Sequence, residues 1–515
     1  MISSADALAT KAGVRILEQN GNAVDAAIAT SAAMAVVAPH LCGMGGDLFA
    51  LVHVDGQVHS LNAAGRAGSG VNPEQLRQQG FTHVPMNANF NSVTVPGCVA
   101  GWLALHERFG TLPLELLFAD AIGLAENGFR SSPLLINSFK RLDDSLKRNF
   151  KDLYSATTEV APTIKRPGVG RTLRAVATHG RDAFYAGEFA EGLIEMASGM
   201  YTREDLAGAS ATWDKPISID VYGHRVWSTA APSQGYLFLA ALAISEQLDL
   251  PDDPNDAQWA HLLIEASTAV GYDRTEILHD RADLGATLKD LVKRKSLISP
   301  QSASSRHHVG RDGDTTYMCA VDRNSMGVSL INSNASGFGS GLVEQRTGIN
   351  LHNRGLGFSL MRGHESELTA GRQPPHTLCP ALITRKDNSL LSVLGTMGGD
   401  AQPQIILQLI TRLLRSSGAA SKPAEIVDAG RWVLRGPTTG FDTWSSHLPP
   451  TVQIEGHAPE SWLRELASRG HQVEQRPRLD SGFGHANMIV IDESGNTSGG
   501  ADSRTVVGSC EQDKR

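Results

Sequence analysis

Residues 6–18 place Leu8, Ala12, Val14, Ile16 and Leu17 at helical spacing. Asn20-Gly21-Asn22 then ends that segment, with Gly21 suited to a left-handed cap. Asp25 can cap a second, alanine-rich helix reaching Val37, apolar on nearly every side and so expected to be buried. The turn Leu41-Cys-Gly-Met-Gly-Gly-Asp47 follows and leads into a strand over 48–54. Glycines of this kind can cradle phosphates, but no GK[ST] or spaced GxGxxG accompanies them, so a tight turn is the better reading. Residues 112–206 read mainly as helices, among them 113–125 and 187–198. A further helix over 255–272 puts Trp259, Leu262, Leu263 and Ala266 on one face.

The pattern breaks at 299–314, a polar, turn-rich stretch with little to bury, expected to be an exposed, mobile loop. Immediately afterwards residues 315–322 read as a strand, and 327–333 as its hairpin partner. Strands over 381–384, 390–394 and 486–491 and helices over 404–414 and 460–469 complete the second half. Strands and helices that alternate without a regular βαβ beat favour a layered α+β fold.

Composition narrows the function classes. Across 515 residues, 41% are hydrophobic and 19% charged, with a formal net charge of −8 and no cluster of Lys and Arg. That argues against a nucleic-acid partner. The longest apolar region, 26–39, is too short to span a bilayer. Five cysteines without CxxC or CxxH spacing argue against a disulfide framework or a zinc site and for a reduced, cytoplasmic protein. His307-His308 lies in the polar loop, where solvation outweighs metal binding, so neither metal nor cofactor is expected.

A threonine hydroxyl is a poor nucleophile unless a base stands beside it. Placed first in a chain, Thr can use its own α-amino group, whose ordinary pKa of about 7.7–8.0 leaves free amine near neutral pH. A precursor must then cut itself before that residue, which calls for a mobile stretch followed by a rigid strand. Asp314-Thr315 meets both conditions. Alone this is weak, since Thr at a strand start is usually only a good strand former.

Several ordered blocks raise its weight. They are Ala7-Leu-Ala-Thr-Lys-Ala-Gly13, Gly21-Asn-Ala-Val-Asp-Ala-Ala27, Gly43-Met-Gly-Gly46, Val95-Pro-Gly-Cys-Val-Ala-Gly101, Asp314-Thr-Thr-Tyr317, Gly337-Phe-Gly-Ser-Gly341, Pro374-Pro-His-Thr-Leu-Cys-Pro380 and Gly395-Thr-Met-Gly-Gly399. Together they resemble the γ-glutamyltransferase family of N-terminal-nucleophile hydrolases over nearly the whole chain. The resemblance implies a four-layer αββα fold and a heterodimer of fragments 1–314 and 315–515, with further dimerisation open. It also implies Thr315 as nucleophile, Ser333 as its hydrogen-bonding neighbour, and the N–H groups of Gly398 and Gly399 as the oxyanion hole.

The chain departs from the family where a γ-glutamyl group would be gripped. Ala64 stands at the position of the carboxylate-binding Arg, with Arg66 two places on, where a strand would keep it on the same face. Gly357 replaces the Asp that takes the α-ammonium, Arg354 stands at a neighbouring polar position, and His376-Thr377 replaces a Ser-Ser pair. Without the acid an α-ammonium is left unpaired, and Arg354 would repel it. Arg suits a carboxylate instead. The expected substrate is a small amide whose acyl part carries a carboxylate, as in the family's oxamate amidohydrolases and glutaryl-type cephalosporin acylases. Oxamate, giving oxalate and ammonia, leads. Its binding residues would be Arg66, Arg354, His376 and Thr377. The alternatives are a γ-glutamyl hydrolase or transpeptidase acting on glutathione-like compounds, and an unprocessed pseudoenzyme.

Overall fold

The computed structural model describes residues 1–157, 161–304, 315–415, 422–436 and 450–514. Two antiparallel sheets form its centre. The first has seven strands in the order Ser509–Glu511, Ile2–Ser4, Thr316–Val321, Gly327–Ser333, Asp47–Val54, Gln57–Ala63, Thr212–Asp214. The second has six, in the order Thr497–Ala501, Asn487–Ile491, Leu390–Gly395, Ala381–Thr384, His224–Ser228, Ile217–Val221.

The four layers follow from the two-residue period of these strands. In Asp47–Val54, Leu48, Ala50 and Val52 face a core shared with the Ala23–Val37 and Leu114–Asn127 helices. Phe49 and Leu51 face the opposite way, into a core between the sheets. Thr316–Val321 divides likewise, with Met318 and Ala320 toward the helices and Tyr317, Cys319 and Val321 between the sheets. On the second sheet Leu382, Val393 and Ile489 point inward. Ala381, Ile383, Leu394 and Met488 point out, onto helices Tyr236–Ser245, Ala257–Gly271 and Gln402–Arg415. The middle strands Asp47–Val54, Thr316–Val321, Gly327–Ser333, Ala381–Thr384 and Leu390–Gly395 are largely buried on both faces, which gives helix, sheet, sheet, helix: the expected αββα sandwich.

The expected helix over 6–18 is Ala7–Glu18, capped by the Asp6 side chain on Leu8 N at 2.8 Å. Two cap assignments are corrected. The left-handed residue after this helix is Asn20 (φ 66°), not Gly21. The second helix, Ala23–Val37, is capped by Asn22, and Asp25 is the third helical residue, returning the reciprocal bond to Asn22 N at 3.1 Å. An Asn tolerates the left-handed region because its short amide can bond locally, and the capping box satisfies two helix N–H groups at once. No helix among the described residues is long and apolar enough to cross a membrane.

Candidate active site

Thr315 stands directly before the Thr316–Val321 strand, and Ser333 ends the neighbouring one. The register pairs Asn332 with Thr316, so the two hydroxyls arrive side by side. Thr315 Oγ1 and Ser333 Oγ lie 2.9 Å apart, both fully buried. Ser333 is held from three further directions. Its Oγ accepts Ala335 N at 2.8 Å and Arg354 Nη2 at 3.2 Å, and its backbone pairs with Asp47 of the adjoining strand. The glycine turn before that strand packs onto the same point, where a Cβ on Gly46 would come 2.3 Å from Ser333 O. Only glycine allows that approach, which is what the Gly43-Met-Gly-Gly46 block accomplishes.

Arg354 is the charged centre of the site. It is 1% exposed, and its Nη1 donates to Thr377 Oγ1 at 2.8 Å while Nη2 reaches Ser333. Burial pulls the guanidinium down to about 10, with Asp47 and Asp400 opposing that pull, so it stays cationic at neutral pH. It is therefore no surface cation. Thr315, Ser333, Arg354 and Thr377 form one continuous hydrogen-bonded series.

Asp47 was not singled out from the sequence. Its Oδ1 accepts Gly65 N at 2.9 Å and Gly97 N at 3.2 Å, and its Oδ2 lies 3.2 Å from His376 Nε2 and 3.6 Å from His352 Nδ1. Burial works against its charge, but His352, the His376 hydrogen bond and Arg354 outweigh it and hold the carboxyl below its ordinary value. His376 is pushed down to about 3 by burial and then by Arg354, so its ring is neutral. Leu378 N donates to His376 Nδ1 at 3.3 Å, leaving the proton on Nε2, which donates to Asp47. His376 thus orients Asp47. The sequence signal was present in Gly-Gly-Asp at a strand start, but an Asp there equally suits a turn.

Asp47→Asn is expected to destabilise the fold by about 3–5 kcal/mol, because it leaves the buried Arg354 short of a counter-charge. A folded pKa below the unfolded one contributes stability above the unfolded value of about 3.9 and loses it as pH falls through the folded one. Thermal melts of both proteins should therefore differ most at neutral pH and converge in acid below the ordinary carboxylate range. Equal melts at pH 7 would refute this role.

Gly398 (φ 133°) and Gly399 (φ 56°) follow the Leu390–Gly395 strand, both in backbone regions that favour glycine. Gln234, also missed from sequence, ties them to Thr377. Its Nε2 donates to Gly399 O at 2.9 Å and to Thr377 O at 3.0 Å. Arg274 Nη2 lies 3.7 Å from Asp400 Oδ1, behind the glycine pair.

One sequence expectation is placed differently. The strand before Arg66 ends at Ala63, so the same-face argument does not apply. Arg66 is exposed and donates to Gly371 O at 3.0 Å. Gly357 leaves no room for an acid, since a Cβ there would lie 2.3 Å from Pro375 O. Asp314 and the His307-His308 pair lie outside the described residues. Beside the site a cavity of about 520 Å³ reaches Gly357 and Thr377, with Arg274, Phe358 and Met361 among its lining.

The gamma-glutamyltranspeptidase family model matches residues 9–510. The oxamate amidohydrolase proenzyme of Klebsiella pneumoniae subsp. pneumoniae is 34% identical, over 97% of this chain and 96% of its own length. The glutathione hydrolase-like YwrD proenzyme of Bacillus subtilis is 31% identical, over 98% and 97%. The glutathione hydrolase proenzyme of Escherichia coli is more distant, at 27% over 98% and 90%. Among solved structures, cephalosporin acylase from Bacillus halodurans superposes with a TM-score of 0.88 at 30% identity, covering 99% of this chain and 95% of that one. With the family model spanning nearly the whole sequence and the αββα sandwich in place, the chain belongs to the gamma-glutamyltranspeptidase family of N-terminal-nucleophile amide hydrolases.

Proposed function

We propose that this hydrolase cuts itself between Asp314 and Thr315 and then hydrolyses a small amide whose acyl group carries a carboxylate, with oxamate as the lead substrate. The observation that carries the reading is Arg354, a buried cation one hydroxyl away from Thr315, opposite a position where no acidic side chain fits. Its Nη1 donates to Thr377 Oγ1 and its Nη2 to Ser333 Oγ, and an acyl carboxylate can share these donors. The two fragments, 1–314 and 315–515, stay together as a heterodimer, because each sheet contains strands from both. A cytoplasmic site of action fits five free thiols.

In this mechanism the new α-amine of Thr315 takes the Oγ1 proton as Oγ1 attacks the amide carbon. The Gly398 and Gly399 N–H groups receive the oxyanion. The protonated amine gives its proton to the leaving nitrogen, ammonia departs, and water hydrolyses the ester to release oxalate and restore the threonine. Thr377 and His376 hold the acyl pocket in shape. Oxamate and a γ-glutamyl anilide, assayed side by side, test the reading. Turnover of the anilide alone would replace it by the γ-glutamyl alternative, for which the glutathione hydrolase-like relative is the support. A cavity of about 520 Å³ exceeds what oxamate needs, so larger carboxylate-bearing amides belong in the same screen.

Ser333→Ala should slow oxamate turnover by about tenfold, the worth of one hydrogen bond of about 1–1.5 kcal/mol in the transition state. Ser333→Thr, which keeps the hydroxyl, should restore most of it. Steady-state kcat on processed protein reads both, and an unchanged kcat in the alanine variant would remove Ser333 from the machinery.

A further inference from the structure

The helix Ala257–Gly271 carries His261 and Glu265 one turn apart on the same face. His471, just past helix Glu460–Ser468, meets them there. One donor atom from each of the three lies within 4.8 Å of the other two, and His261 Nδ1 is 2.8 Å from His471 Nε2. The surroundings orient the donors inward. His261 Nε2 lies 2.9 Å from Ser299 O, a pure acceptor, so the ring proton sits on Nε2 and Nδ1 presents its lone pair. Ser304 N donates to Glu265 Oε2 at 3.1 Å and leaves the other oxygen for a ligand bond. Backing of each ligand by an outer hydrogen bond is how metal sites fix their first shell. A cavity of about 200 Å³, lined by Glu265, His471, Thr268 and Ser304 among others, adjoins the cluster. Arg469, the neighbouring cation, is engaged by Gln258 and Glu465.

We propose that His261, Glu265 and His471 bind one divalent transition-metal ion, zinc by the chemistry of the donor set, with a water from the adjoining cavity as fourth ligand. Two imidazole nitrogens and a carboxylate suit zinc, whereas calcium and magnesium require oxygen ligands. Zn–N bonds of about 2.0–2.1 Å at a tetrahedral angle require the two imidazoles to part by about half an ångström. The proton between them leaves Nε2 of His471, which binds as the Nδ1–H tautomer. The outer hydrogen bonds run to Ser299 O and from Ser304 N, so the ion would hold residues 299–304 against the outer helical layer.

Chelator-stripped full-length protein titrated with Co²⁺ tests this apart from activity. The expected result is visible d–d absorption of tetrahedral cobalt saturating at one equivalent per chain and abolished by Zn²⁺. His471→Gln and Glu265→Gln should each lower cobalt affinity at least about tenfold while far-UV circular dichroism stays that of the wild type. No such absorption from the wild-type protein, a result independent of how the variants fold, would overturn the proposal. So would uptake undiminished in both folded variants.

Discussion

Thr315→Ala is expected to yield one uncut chain on intact-mass analysis, where the wild type gives fragments 1–314 and 315–515. Alanine has no oxygen to attack the preceding peptide bond, and Asp314-Thr315 is where the polar stretch meets a strand buried on both faces. Amide turnover should fall with it, by about 10⁴- to 10⁶-fold, the loss found when a nucleophile that works as part of a unit is removed. Thr315→Ser keeps the oxygen and should still cleave, more slowly. The alanine substitution is mild for the fold, because the lost Oγ1 bond to Ser333 leaves that hydroxyl with Ala335 N and Arg354 as partners. Cleavage at the same bond in the alanine variant would show that another group does the chemistry. A single chain from the wild type as well would favour the pseudoenzyme reading.

Arg354→Leu is expected to cost about 2–5 kcal/mol on substrates with an acyl carboxylate, a loss of about 30- to 5,000-fold in kcat/KM. The carboxylate would otherwise be buried without its partner. Arg354→Lys keeps the charge but not the two-pronged donor, and should fall between leucine and wild type. Processing must be checked by mass first, since the guanidinium also touches Ser333. An anilide whose acyl group is uncharged is the control. Removing a cation should not impair a substrate that lacks the carboxylate, so a loss on oxamate without a parallel loss on that anilide locates the effect at the acyl carboxylate. Equal losses on both, or none on oxamate, would remove Arg354 from substrate recognition. Gly357→Asp offers no simple route back to γ-glutamyl binding, because Pro375 O occupies the space of its Cβ.

Much of the scaffold was legible because its signals are local. The hairpin partner over 327–333 is observed as Gly327–Ser333, and the expected strand over 315–322 as Thr316–Val321. Their alternating side chains enter two different cores, and a two-residue period records that. The helices over 255–272 and 460–469 are observed as Ala257–Gly271 and Glu460–Ser468. The misreadings also have local causes. Asn20 took the left-handed position and Asn22 the cap because an Asn side chain competes with Gly and Asp for the same roles. Arg66 was expected on a strand that in fact ends three residues earlier.

What the sequence by itself determined is the order of its blocks, the strand that begins at a threonine behind a polar stretch, and the replacement of acid by glycine at position 357. Each is a property of neighbouring residues. Only the tertiary structure decided that Arg354 is buried against Ser333 and Thr377, that Arg66 is exposed, and that Asp47 bonds His376 across 329 residues of chain. Burial and charge pairing depend on which distant segments close over a side chain, and the same arginine reads identically in a sequence whether it ends in water or in a core. Gln234 makes the same point, since joining Gly399 to Thr377 requires a third segment folded between them.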